Sequence, residues 1–87
     1  MALTASDDLT DLVRRSQQRD TVAFARLVDE TKDGVYNLAY QVLGTEQEAE
    51  DMVQEVYLRV WKALGTFRGE AKFSTWLYRV TMNACLN

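Results

Sequence analysis

Between Thr45 and Gly65 apolar residues recur at helical spacing, at Ala49, Met52, Val53, Val56, Tyr57, Val60 and Leu64. A stretch with this period folds as an amphipathic helix whose apolar face must enter a core. Thr45 and Glu48 precede it as a capping box: the Thr45 hydroxyl is placed to accept from the Glu48 amide, and the Glu48 carboxylate to reach back to the Thr45 amide. The helix therefore starts at Glu46 and runs to Gly65.

The same reasoning yields three further helices. Ser6 is a candidate N-cap for a first helix over about residues 7–18, with Asp7 and Asp8 in the first turn and Leu9, Leu12 and Val13 as its apolar stripe. Asp20 caps a second, whose Phe24, Leu27, Val28, Val35, Leu38, Ala39 and Val42 keep helical spacing until Gly44 stops it; Gly34 is a candidate bend. Gly65 to Phe73 has two glycines, alternating charge and no period, and reads as a loop; Ser74 then caps a last helix from Thr75 to about Leu86. The expected fold is all-α: one compact domain, a bundle of about four helices with a functional loop between the last two. The 87 residues without proline, 47% apolar and 26% charged, fit such a globule and leave no room for a second domain.

Composition excludes much chemistry. With no His and one Cys, the chain has no His/Cys metal site, no Ser-His-Asp or Cys-His catalysis and no internal disulfide. The remaining enzyme candidates, carboxylates such as Glu50, Asp51 and Glu55, have no phosphate cradle or nucleophile beside them, so a non-enzyme without cofactor or metal is expected. The longest uncharged run, Gly34 to Thr45, is far short of the roughly 20 residues that cross a bilayer. Asp7, Asp8 and Asp11 before the first Arg have the wrong charge for a signal or transit peptide. A cytoplasmic protein is expected, and the isolated Cys85 fits a reducing compartment.

The net charge of −3 conceals two signs: residues 1–55 carry twelve acids against five bases, whereas residues 56–87 carry five bases against Glu70 alone. Outside its core stripe the third helix presents Glu50, Asp51, Gln54, Glu55, Leu58 and Lys62. From spacing alone this is either a solvated face, with Glu55 and Arg59 paired one turn apart, or a docking face for a basic helix. The second surface interleaves bases and aromatics: Phe67, Arg68, Gly69, Lys72, Phe73, Trp76, Tyr78, Arg79, Asn83 and Asn87. Such a mixture suits a single nucleic-acid strand, through stacking and phosphate pairing, and Asn can read a base edge by donating and accepting at once. The plainer reading puts Phe73, Trp76 and Leu77 in the core and makes Asn87 a terminal cap.

In order and spacing, Ala49-Glu50-Asp51, Val53-Gln54-Glu55-Val56-Tyr57-Leu58, Phe67-Arg68-Gly69 and Phe73-Ser74-Thr75-Trp76-Leu77-Tyr78-Arg79-Val80 with Asn83 resemble region 2 of bacterial sigma factors of the extracytoplasmic-function group, in the sigma-70 family. The resemblance covers about residues 20–87. It implies that the third helix docks on the clamp helices of the RNA polymerase beta-prime subunit through Asp51, Gln54 and Glu55, with Leu58 close by. It also implies that the loop and last helix bind the single-stranded non-template strand of the promoter −10 element, with a flipped base in a pocket lined by Ala63, Phe67, Val80 and Asn83. Arg68, Lys72, Trp76 and Arg79 would follow the phosphates or support the loop, with Asn87 at the end of the same helix. An anti-sigma factor is a further implied partner. The family typically continues past this point with a linker and a second domain that reads the −35 element, so an isolated domain with weak, salt-dependent DNA binding is expected. The competing expectation is a helical protein-interaction module that uses the acidic face and never touches DNA.

Overall fold

A computed structural model describes residues 9–87. Among them are four α-helices, α1 (Thr10–Gln17), α2 (Thr21–Leu43), α3 (Glu46–Ala63) and α4 (Phe73–Leu86), a 3₁₀ turn at Leu64–Thr66 after α3, and no strand. The expected Ser6 cap and the anions Asp7 and Asp8 lie outside the described residues.

Local chemistry explains most boundaries. Asp20 starts α2 by accepting from the Ala23 amide at 3.0 Å, a bond that holds its carboxyl below the usual carboxylate range. The helix continues unbroken through Gly34 and ends at Gly44, which takes a left-handed φ of 90° and donates to the Tyr40 carbonyl at 2.8 Å. At α3 the Glu48 amide donates to the Thr45 hydroxyl at 3.2 Å, but that hydroxyl donates to the Glu48 carboxylate at 3.0 Å, so the return bond comes from the side chain and not from the Thr45 amide as expected.

Two boundaries differ from the sequence reading. α3 ends at Ala63 and tightens into the 3₁₀ turn, because fully buried Leu64 stays anchored in the core while the Thr66 hydroxyl takes the Ala63 carbonyl at 2.6 Å. α4 begins at Phe73, not Thr75, and its N-cap is Lys72 with no side-chain cap bond. Burial of Phe73 fixes this start, and Ser74 falls in the first turn. The connecting loop is therefore residues 67–72, shorter than expected.

α1 ends in an unusual way. The Asp20 amide donates to the Arg15 carbonyl at 3.1 Å and the Arg19 amide to the Ser16 carbonyl at 2.9 Å, the paired bonds that close a helix around a left-handed residue. That residue is Arg19, at φ 65°, where a side chain costs about 1–2 kcal/mol.

One cluster joins all the elements: Leu9 and Val13; Leu27, Val35 and Leu38 of α2; Val56, Tyr57 and Val60 of α3; Leu64; and Phe73, Leu77 and Ala84 of α4. α2 is central and packs on α1, α3 and α4. Inside the core the Thr31 hydroxyl donates to the Leu27 carbonyl at 2.8 Å, so its 2.6 Å contact with the Tyr57 hydroxyl has Tyr57 as donor. Burial pushes the Tyr57 hydroxyl up to about 12, and the negative charge of Asp33 acts in the same direction. An unfolded Tyr ionises near about pH 10. Stability linked to neutral Tyr57 is thus complete below that pH and is lost as pH rises toward 12. We expect thermal melts between pH 9 and 12 to fall more steeply for the wild type than for Tyr57→Phe, whose constant cost is about 0.5–1.5 kcal/mol. Parallel curves would contradict this.

Candidate nucleic-acid interface

The outward face of α3 is exposed along its length at Glu50, Asp51, Gln54, Glu55, Leu58 and Lys62. Leu58 is 59% exposed, a large apolar side chain set among charges. Glu55 pairs with Arg59 at 2.9 Å and Asp51 accepts from Gln47 at 3.2 Å, both near solvent, so neither carboxylate is locked away from a partner. α2 extends this face: Lys32, Asp33 and Tyr36 join Glu50, Val53 and Gln54 around a cleft of about 440 Å³. Tyr36 stacks on Tyr40 with ring centroids 6.2 Å apart, and its hydroxyl is held above its ordinary pKa by partial desolvation first and then by the charges of Glu46 and Glu50. The sequence reading missed this contribution of α2, although Lys32, Asp33 and Tyr36 are spaced to share one face of their helix.

At the other surface three rings set the loop. The Phe67 ring lies edge-on to Phe73, centroids 5.6 Å apart, and 5.4 Å from Trp76; Phe73 and Trp76 are 5.6 Å apart. Phe73 is buried, which removes it from any stacking role, while Phe67 and Trp76 are half-buried and keep part of their surface. Arg68, Lys72, Arg79, Asn83 and Asn87 are exposed, and Ala63 and Val80 are half-buried. On α4, Trp76, Val80 and Asn83 follow one another at helical spacing along one face that begins beside Phe67, and Asn87 caps the helix one turn beyond Asn83. The exposed cations Arg68, Lys72 and Arg79 are solvated groups suited to phosphates, and Asn83 projects from within α4.

Phe67, Arg68 and Lys72 also border a cleft of about 560 Å³ against α1, completed by Thr10, Val13, Arg14 and Gln17 among others. Ala63, Val80 and Asn83 do not line it. Arg14 is already paired with Asp11, as is Arg15 at 3.2 Å, and these partners, Arg15 foremost, hold the Asp11 carboxyl below the usual range. From the end of α1, Gln17 donates through Nε2 to the Leu64 carbonyl at 3.1 Å and to the Phe67 carbonyl at 2.8 Å. Arg19 donates to the Trp61 carbonyl at 2.7 Å and lies 4.6 Å from the centre of the Trp61 ring, which itself tilts against Phe24 at 4.8 Å. No helical period marks these two residues; an Arg where a helix end favours glycine was the available signal.

Comparison with known proteins places these surfaces in a family context. The family model for sigma-70 region 2 matches residues 27–87. The chain is 40% identical over 75 residues to the ECF RNA polymerase sigma factor SigW of Bacillus subtilis, covering 86% of this chain and 40% of that protein. It is 39% identical over 85 residues to the RNA polymerase sigma-H factor of Pseudomonas aeruginosa, covering 98% of this chain and 44% of the relative. With the ECF RNA polymerase sigma-E factor of Escherichia coli K12 the identity is 38% over 84 residues, covering 94% and 44%. The chain thus spans less than half the length of these curated relatives.

Proposed function

The chain belongs to the sigma-70 family as a region 2 domain of the extracytoplasmic-function group, and we propose that it acts in transcription initiation in the cytoplasm by docking on core RNA polymerase and capturing a promoter strand. The observation that carries this reading is the outward presentation, from one core, of two surfaces of different chemistry. One is the acidic α3 face with exposed Leu58; the other is the ring-braced loop and α4 with Arg68, Lys72, Arg79 and Asn83.

In the docking step, Asp51, Gln54 and Glu55 orient a basic helix of the beta-prime clamp, and Leu58 contributes desolvated apolar area at its centre. In the reading step, a non-template base of the −10 element leaves the duplex and enters the space bounded by Ala63, Phe67, Val80 and Asn83. Arg68, Lys72 and Arg79 follow the phosphates, Trp76 supports Phe67, and Asn87 lies at the end of the same helix. Contacts to the extruded base and its strand offset the few kcal/mol needed to unpair and unstack it, and so favour the melted promoter. Binding alone accomplishes this, without hydrolysis or cofactor. With few cations on an acidic domain, affinity for a strand without polymerase is low and falls steeply with salt. An anti-sigma factor that covers either surface would block initiation.

Asp51→Arg tests the docking step. The side chain is exposed, so stability changes by no more than about 0.5 kcal/mol. Reversal of charge in the acidic face is expected to weaken binding to a beta-prime clamp-helix fragment by about tenfold or more, read by anisotropy at moderate salt. Undiminished binding would remove the α3 face from the proposal.

A further inference from the structure

We propose that α1 is a positioning element for strand reading, acting through Gln17 and Arg19 on the backbone at the root of the loop; this rests on the promoter-strand reading above. The end of α3 leaves carbonyls without amide partners of their own helix, and two side chains from the end of α1 donate into this region. Gln17 Nε2 has two hydrogens and two carbonyl acceptors, Leu64 at 3.1 Å and Phe67 at 2.8 Å. It therefore bridges the start of the 3₁₀ turn to the first residue of the loop. The Leu64 carbonyl also accepts the Phe67 amide at 3.2 Å, so the same small network sets the direction in which the Phe67 ring leaves the backbone and the point from which Arg68 projects.

Arg19 reinforces this from one turn earlier, with its 2.7 Å bond to the Trp61 carbonyl and its guanidinium 4.6 Å from the Trp61 ring centre. Its own backbone is the sharper clue. At φ 65° glycine is the undemanding choice, and an arginine there incurs conformational strain while supplying a guanidinium to α3. Strain retained beside a tether to the loop root is the pattern of a residue kept for its side chain. Neither residue needs to touch the strand; both act through the loop, and they are positioning residues in that sense.

The substitutions separate positioning from general stability. Arg19→Gly removes the guanidinium and relieves the backbone strain together, so the melting temperature is expected to stay close to the wild-type value while the tether is lost. Gln17→Met keeps length without donors, Gln17→Glu sets a carboxylate against two carbonyls, and Gln17→Lys restores a donor. With the full chain, the backbone order parameters of Phe67 and Arg68 are expected to fall from about 0.85 toward 0.6 in Gln17→Met and Arg19→Gly. A fluorescent −10 single strand is expected to bind these variants about tenfold more weakly, in the order Lys, Met, Glu from strongest to weakest at position 17, with clamp-helix binding unchanged. Unchanged loop order, or a loosened loop with wild-type affinity and base preference, would overturn the proposal. Failure of the underlying reading looks different: the wild-type chain itself would then distinguish no base, and the proposed role in strand reading would fall with it.

Discussion

Leu64→Ala is expected to destabilise the domain by about 2–5 kcal/mol, the cost of deleting a buried leucine where the surroundings close only partly over the cavity. Leu64 is fully buried, in the cluster that joins all four helices, at the point where α3 gives way to the 3₁₀ turn. A domain of this size has roughly 5–10 kcal/mol in total, and each kcal/mol moves the melting temperature by about 4–8 °C, so the transition should fall by about 8–40 °C. The Leu64 carbonyl is also one of the two acceptors of the Gln17 bridge, so the loop should loosen before the helices melt. Leu64→Met, which nearly conserves volume, should cost less than about 1.5 kcal/mol. Circular-dichroism melts of the two variants check the pair. A loss below 1 kcal/mol for the alanine variant would mean that the core does not depend on this anchor.

Asn83→Ala is expected to act on specificity with little change in stability. The side chain is exposed in the interior of α4, where alanine is a better helix former, so folding should be preserved or slightly improved. An amide that donates and accepts on one base edge contributes about 1–3 kcal/mol of discrimination, or roughly a 5- to 150-fold preference for one base at one −10 position. Its removal should flatten that preference and leave the contribution from phosphates intact. Equal weakening for all four bases would assign Asn83 a general supporting role and reject base readout.

Several features of the fold were legible because they are written locally. The apolar period located α2 and α3, while Asp20, Gly44 and Thr45 marked boundaries by hydrogen bonds to residues three or four positions away. The start of α4 was not legible in this way. Ser74 carries the residue type of a cap, but burial of Phe73 decided the boundary, and burial is a property of the whole fold. The end of α3 differed for the same reason, with Leu64 held in the core beyond the last regular turn.

The candidate site divides along the same line. The residue types of both surfaces were evident from charge and aromatic content, and the structure exposes Asp51, Gln54, Glu55, Arg68, Lys72, Arg79 and Asn83. The ring cluster of Phe67, Phe73 and Trp76 depends on three-dimensional packing: it buries Phe73, as the plainer reading expected, and leaves Trp76 only half-buried. The support from α1 was hidden more deeply. Gln17 reaches carbonyls 47 and 50 residues ahead and Arg19 one 42 residues ahead, distances at which no periodic pattern connects donor to acceptor.

The most direct measurement is a fluorescence titration of the wild-type chain with single-stranded oligonucleotides that differ only in the base at one −10 position, at low and moderate salt, with and without a clamp-helix fragment. Promoter-strand reading requires that one base bind at least about fivefold more tightly than the others and that affinity fall as salt rises. Equal affinity for all four bases, or no binding to any strand alongside clean binding to the clamp fragment, would contradict it and leave a docking module that reads no base.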